Sequence, residues 1–315
     1  MIPESKRRVA YINEMIESGH AAELVKEGED YHAEQLASIA RNICSRAGVR
    51  VVLIAGPSSS GKTSTSHRLC LELLAQGKEP VALSLDNWYV DGSLTPVKED
   101  GSKDYESVYA IDLAQLESDL KALIAGQEIA LPTFNFAEER REYLGETLQM
   151  APDAVLVIEG IHALNPILHK NIPAEDKHLI YASALTSLRI DDETRISTSE
   201  NRLIRRLCRD YTTRGVSGES TLLRWQSVRR GEEKWIFPFQ ENADVFFNTT
   251  LIYELAALQP KAVHILREVP FDSPARPEAE RLLNFLSYFS PISEINIPND
   301  SIIREFIGGS VFNVG

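Results

Sequence analysis

Short apolar runs alternate along this chain with stretches whose apolar residues recur every three to four positions. The runs are Val51-Val52-Leu53-Ile54-Ala55, Val81 to Leu85, Ala154 to Ile158, His178 to Ala182 and Ala243 to Asn248. Unbroken apolar runs of this length predict strands buried on both faces, as in a parallel sheet. The stretches between them carry the helical period. Ser66 to Leu74 follows the first run. Ile111 to Ile124 places Leu113, Leu116, Leu120 and Leu123 on one face. Asn201 to Tyr211, Thr250 to Leu258 and Glu278 to Phe289 complete the set, the last with Leu282, Leu283, Leu286 and Phe289 in line. Strands separated by helices predict one α/β core, doubly wound around five parallel strands.

Other segments decorate this core. Residues 1–47 read as an amphipathic helical lead-in, with Val9, Ile12, Met15, Ile16, Leu36, Ile39 and Ile43 in stripe. Residues 91–106 are polar and read as a mobile loop. Ile129 to Phe136, interrupted by Pro132, reads as an edge strand, with Glu142 to Gln149 as its hairpin partner. The expected organisation is a lead-in over 1–47, a core domain over 48–258 and a folded C-terminal extension over 259–315. Within the core lie a hairpin insertion near 129–150 and a lid over 200–236.

The chemistry enters between the first strand and its helix, at Gly56-Pro57-Ser58-Ser59-Ser60-Gly61-Lys62-Thr63-Ser64. Glycine, four residues, then Gly-Lys-Thr is the P-loop spacing, in the strand-turn-helix context the motif needs. The glycines allow a tight turn, and the small serines let it wrap closely, so that successive N–H groups can point at phosphate oxygens. The helix start adds unpaired N–H groups and the positive end of its dipole. Gly56, Ser58, Ser59, Ser60, Gly61, Lys62, Thr63 and Ser64 are the expected cradle for ATP or another nucleoside triphosphate. Lys62 would clamp the β- and γ-phosphates, and the Thr63 hydroxyl would ligate Mg²⁺. Asp86 follows the second strand and Glu159 ends the third, where ligands of open α/β sheets collect. Glu159 is an expected Mg²⁺ residue and Asp86 an expected proton acceptor; each could instead cap a turn or helix. Arg202, Arg205, Arg206 and Arg209 lie on one helix with Arg214 beyond it, either closing on a moving phosphoryl group or forming a solvated basic face.

Composition narrows the class. The chain has 315 residues, 43% hydrophobic and 25% charged, enough for a sizeable core. Its formal net charge of -13 argues against general nucleic-acid binding. Cys44, Cys70 and Cys208 are too few and scattered for a disulfide framework or zinc site, which points to a reducing cytoplasm. Met1 to Arg8 lacks an apolar signal region, and no run approaches membrane-spanning length. The expected partner is a small molecule, without nucleic acid or membrane, and a homo-oligomer is compatible with the sequence. A guanine-binding Asn-Lys-x-Asp is absent, and Glu159 is followed by Gly160 rather than by a second, water-activating acid. Asp86, beside Trp88 and Tyr89, suits a bound hydroxyl better than a water.

With these pieces in order, the chain resembles the uridine kinase/phosphoribulokinase family. The likeness rests on GPSSSGKT (56–63), SLDNWY (84–89), YESVYAIDL (105–113), LPTFNF (131–136), VLVIEGIHAL (155–164) and RLIRRLCRDYTTRG (202–215). SVRRGEEKWIFPFQENADV (227–245) and REFIGGS (304–310) further resemble the bacterial uridine kinase-like group. The resemblance implies Asp86 as catalytic base, Lys62 as phosphate clamp, and Thr63 with Glu159 on the Mg²⁺ side. Arg206, Arg209 and Arg214 would contact phosphates from the lid. Tyr89, Glu106, Phe134, Phe136 and Glu139 would line the acceptor pocket. Several positions depart from the pattern. Glu138-Glu139-Arg140-Arg141 stands where a base-reading histidine is usual, Glu106 where aspartate is usual, and Val216 where the lid continues with arginine. Arg224-Trp225 replaces a pocket glutamine. A nucleoside such as uridine or cytidine is the first expected acceptor; another small or anionic molecule, or a nucleotide-binding regulator without catalysis, are the alternatives.

Overall fold

The computed structural model describes residues 6–136 and 138–313. In chain order its elements are α1 Val9–Glu17, α2 Ala21–Ser45, β1 Val51–Ala55, α3 Lys62–Ala75, β2 Glu79–Ser84, α4 Leu113–Ile124, β3 Ile129–Ala130, β4 Thr133–Asn135, β5 Arg140–Glu142 and β6 Thr147–Leu148. There follow β7 Ala154–Glu159, α5 Pro166–His169, β8 Lys177–Ser183, α6 Thr198–Arg214, α7 Gly218–Trp235, β9 Val245–Asn248, α8 Glu254–Arg267, α9 Arg276–Leu286 and α10 Arg304–Ile307. Residues 1–5 of the expected lead-in lie outside the described residues.

Five parallel strands form one sheet in the order β2-β7-β1-β8-β9, the doubly wound α/β core. Side chains alternate across it, as the pleat requires. Val52, Ile54, Val155, Val157 and Ile180 enter one apolar layer, and Val51, Leu53, Leu156, Ile158 and Leu179 the other. The second layer is closed by α4 through Leu116, Leu120 and Leu123. Register aligns the carboxyl ends: Ile54 of β1 stands beside Glu159 of β7, and Glu159 beside Ser84 of β2. Whatever follows these strands therefore meets on one edge of the sheet.

Both terminal segments are built into the first layer. Leu36, Ile39 and Ile43 of α2 and Ile302, Ile303 and Phe306 near the C-terminus pack with Leu69, Leu203 and Phe247. The boundary expected at 258 falls inside α8, which continues to Arg267 despite Pro260. Proline cannot supply the N–H that would satisfy the Ala256 carbonyl. The Ile292 N–H takes that carbonyl at 3.1 Å instead, so the C-terminal segment repairs the helix it follows. The hairpin divides at Pro132 into two short ladders, β3 with β6 and β4 with β5. α7 was not anticipated. With α6 it sends Leu203, Leu207, Leu222, Trp225 and Val228 into the core, so the pair is packed on its apolar side.

Candidate active site

The loop after β1 is shaped by what its glycines exclude. A Cβ at Gly56 would stand 2.0 Å from the Ala182 carbonyl oxygen of β8 and 2.6 Å from Ser60 Oγ. Gly61 has φ +82°, the left-handed region that glycine adopts without strain. The turn is closed by the Ser60 N–H, which donates to the Pro57 carbonyl at 3.1 Å. The hydroxyls of Ser59 and Ser60 are buried without a hydrogen-bond partner. Buried polar groups are rarely left so, and two within one phosphate-type loop suit a ligand that brings its own acceptors. Lys62 is buried, and Nζ donates to the Pro57 carbonyl at 3.3 Å. Burial pushes its pKa down, against the pull of Glu159, Glu305 and Asp86. Thr63 Oγ1 donates to Glu159 Oε1 at 3.1 Å. Burial pushes the Glu159 carboxyl up to about 7, opposed by Lys62 and reinforced by Asp86.

Asp86 lies in a single 3₁₀ turn, Leu85–Trp88, directly after β2, and its N–H donates to Ser84 Oγ at 3.3 Å. Trp88 anchors the turn: fully buried, it donates Nε1–H to Asp119 Oδ2 at 2.8 Å. The half-buried Asp86 carboxyl is pushed upward by burial and drawn down by the charges of Lys62, Arg214 and Arg209. Tyr89, Phe134 and Phe136 come together beyond the turn, with ring centroids 5.5, 6.1 and 5.0 Å apart in edge-on contacts. Tyr89 is pinned by its hydroxyl, which donates to the Tyr105 carbonyl at 3.2 Å. Phe136 is 58% exposed, so the aromatic cluster opens to solvent.

The five arginines of α6 divide by role. Arg202 and Arg205 are fully buried and serve the fold: Arg202 pairs with Glu232, and Arg205 Nη2 with Glu254 Oε2 at 2.5 Å. Arg202 Nε also donates to the Ser58 carbonyl at 2.9 Å. Arg206, Arg209 and Arg214 share one acid. Arg206 Nη1 donates to Ser58 Oγ at 2.6 Å. Asp210 gathers all three, at 3.1 Å from Arg206 Nε, 2.9 Å from Arg209 Nη2 and 3.8 Å from Arg214 Nη1. Burial would raise the Asp210 carboxyl, but the arginines outweigh it and hold it below its ordinary value.

Sequence reasoning missed three acids here. Asp210 organises the arginines. Glu232 of α7 accepts the Ser58 N–H at 3.0 Å. Glu305 of α10 accepts from Ser64 Oγ at 2.8 Å, so Ser64 is engaged by the C-terminal segment. All three lie inside the stretches 202–215, 227–245 and 304–310, where the only local signal was an acid beside arginines or glycines.

Two further residues were expected at the acceptor. Glu139 sits at the β4–β5 turn with φ 50°, its carboxylate paired with Lys103 and its carbonyl accepting the Gly92 N–H at 2.7 Å. It fastens the 91–106 loop. Glu106 lies under α7, where a Cβ at Gly231 would come within 2.6 Å of its Cβ. Burial pushes its carboxyl from 4.5 to about 7, with Arg206 opposing and Glu232 adding. A carboxyl raised in the folded state holds its proton longer than in the unfolded chain. Stability therefore falls as pH rises from 4.5 through about 7. Glu106→Gln removes that slope. Relative to the parent its advantage should grow by on the order of 1–3 kcal/mol over this interval and stay constant above it, read by denaturant unfolding across pH. A constant offset at all pH values would show that the carboxyl is not raised.

A parallel sheet, a Gly-rich phosphate-type loop, a lysine and acids at the strand ends define a P-loop nucleotide-binding protein of the α/β class. The model of the phosphoribulokinase/uridine kinase family matches residues 51–254, and the chain belongs to that family. It is 29% identical over 198 residues to the uridine kinase of Tolumonas auensis, covering 62% of this chain and 84% of that protein. It is 30% identical over 200 residues to the uridine kinase of Chloroflexus aurantiacus, covering 62% and 85%. A solved chain from Bacillus stearothermophilus, described as a possible uridine kinase, superposes with a TM-score of 0.46 at 17% identity, over 68% of this chain and 98% of that one.

Proposed function

We propose that this protein transfers the γ-phosphoryl group of ATP to a hydroxyl of a small molecule, with a nucleoside as the first acceptor. The observation that carries the reading is the common edge: Lys62, Thr63, Asp86 and Glu159 meet where β1, β2 and β7 end. Lys62 would hold the phosphate end, and Arg206 and Arg209 would balance the charge that shifts onto the leaving oxygens. Asp86 would take the proton of the acceptor hydroxyl, and Tyr89, Phe134 and Phe136 would hold the acceptor's flat or apolar part. Among the described residues no group of three or more histidine, cysteine or acidic side chains could hold a metal ion. Mg²⁺ would then rest on Thr63, Glu159, phosphate oxygens and water, the oxygen-rich shell it prefers, where it would neutralise phosphate charge.

An anionic acceptor has less support. Arg224 and Arg230 are exposed, and Arg229 pairs with Glu232 and Glu233. None of the three is among the charges acting on Asp86. Among the described residues no helix is long and apolar enough to cross a membrane. Cys44, Cys70 and Cys208 are free thiols, which supports a cytoplasmic setting. The test is product formation, by mass, from ATP with uridine, cytidine, purine nucleosides, sugars and polyols. Phosphorylated uridine or cytidine is the expected product. ATP bound but no acceptor phosphorylated would favour the regulator.

A further inference from the structure

The first turn of α3 is where a P-loop presents its amides to phosphate, yet here an internal acid already holds one of them. Glu305 Oε2 lies 2.8 Å from Ser64 Oγ, which donates to it, and 3.4 Å from the Ser64 nitrogen. Ser64 is the third residue of α3, so its N–H is one of the donors that the helix cannot satisfy by itself. The Glu305 carboxylate also acts on the buried Lys62 ammonium. It is held in place from both sides. Arg304 ties the preceding turn by donating to the Ile297 carbonyl at 2.6 Å and the Glu294 carbonyl at 2.8 Å. Phe306 lies under Arg205, whose guanidinium carbon is 4.9 Å from the ring centroid. Ile302 approaches so closely that a Cβ on Gly61 would stand 2.8 Å from it. Glu305 itself is 4% exposed.

A carboxylate and a phosphate oxygen satisfy the same donors by the same charge-assisted bonds. Both cannot occupy Ser64 together, and two anions brought to one site repel. We infer that Glu305 is a resident phosphate surrogate, and that the C-terminal turn competes with the nucleotide for the first turn of α3. The turn keeps Lys62 and Ser64 compensated without nucleotide, and sets nucleotide affinity below what the loop alone would give. The inference rests on the nucleotide-binding reading of the loop. The buried apolar residues of the turn stay packed in the exchange; only the Glu305 side chain gives way.

Calorimetric titration of the full chain with ATP tests it, comparing the parent with Glu305→Ala and Glu305→Gln. Glutamine keeps the size and an acceptor for the Ser64 hydroxyl, so it separates charge from packing. Both variants should bind ATP roughly tenfold more tightly, and inorganic pyrophosphate should gain in the same sense, because the competition is at the phosphate end. Adenosine should gain nothing. Thermal melting checks that the variants remain folded. ATP affinity unchanged or weakened in folded Glu305→Gln overturns the inference while leaving the nucleotide-binding reading standing. Failure of parent and variants alike to bind ATP overturns that reading, and this inference with it.

Discussion

Replacing Asp86 with asparagine should remove phosphoryl transfer and leave nucleotide binding in place. The substitution keeps size and shape within the turn Leu85–Trp88 and removes the charge and the ability to take a proton. Positioned general bases contribute roughly 10²–10⁴-fold, so kcat should fall by that factor. The cradle should hold ATP as before, or slightly better. Asp86 is one of three acids acting on Lys62, and removing its charge leaves the lysine freer for phosphate. The measurement is a pair: single-turnover transfer with the best acceptor, and calorimetric ATP affinity. A rate within tenfold of the parent would end the assignment of Asp86 as base. Loss of ATP binding together with the rate would instead make Asp86 part of the nucleotide site.

The second large effect is on stability, at Glu254. Arg205 and Glu254 are both 0% exposed, deep between α6 and α8. Glu254 Oε2 also accepts the Leu251 N–H at 2.9 Å, and its other oxygen accepts from Asn201 Nδ2. Arg205 in turn donates to Thr249 Oγ1 at 3.1 Å, and that hydroxyl donates to the Ser60 carbonyl at 2.6 Å. Glu254→Ala leaves a guanidinium in the core without its counter-charge. Breaking a buried pair from one side costs about 3–5 kcal/mol, most of it from the abandoned charge. Denaturant unfolding should show a loss of that size, and ATP affinity should drop as well, since Ser60 loses its support through Thr249. A loss below about 1 kcal/mol would mean that water reaches Arg205. Replacing both residues by apolar side chains should cost far less than Glu254→Ala, which isolates the charge as the cause.

These two residues differ in how visible they were. Asp86 stands out because its signal is local: an apolar run ends, and the next residue is an acid. Thr63, Lys62 and Glu159 carry signals of the same local kind, and Tyr89, Phe134 and Phe136 lie together in the structure. Glu254 gave no such sign; it reads as an ordinary acid at a helix start. Arg202 and Arg205 were open between closing on a phosphoryl group and a solvated face, because their partners Glu232 and Glu254 arrive from α7 and α8. Glu139 makes a contact its motif did not announce: the turn it occupies pairs it with Lys103. α8 runs past residue 258 because the carbonyl freed by Pro260 finds its donor at Ile292.

What the amino-acid order determined alone was the alternation of buried strands and helices, and the loop whose glycines and lysine suit a triphosphate. Periodicity and turn chemistry act between near neighbours, so they can be read along a line. The tertiary structure alone decided which charges meet. Ser58 reaches Glu232 across 174 positions, and Ser64 reaches Glu305 across 241. No local propensity encodes such a pairing; it exists because packing two apolar layers against one sheet brings distant acids to the same few amides.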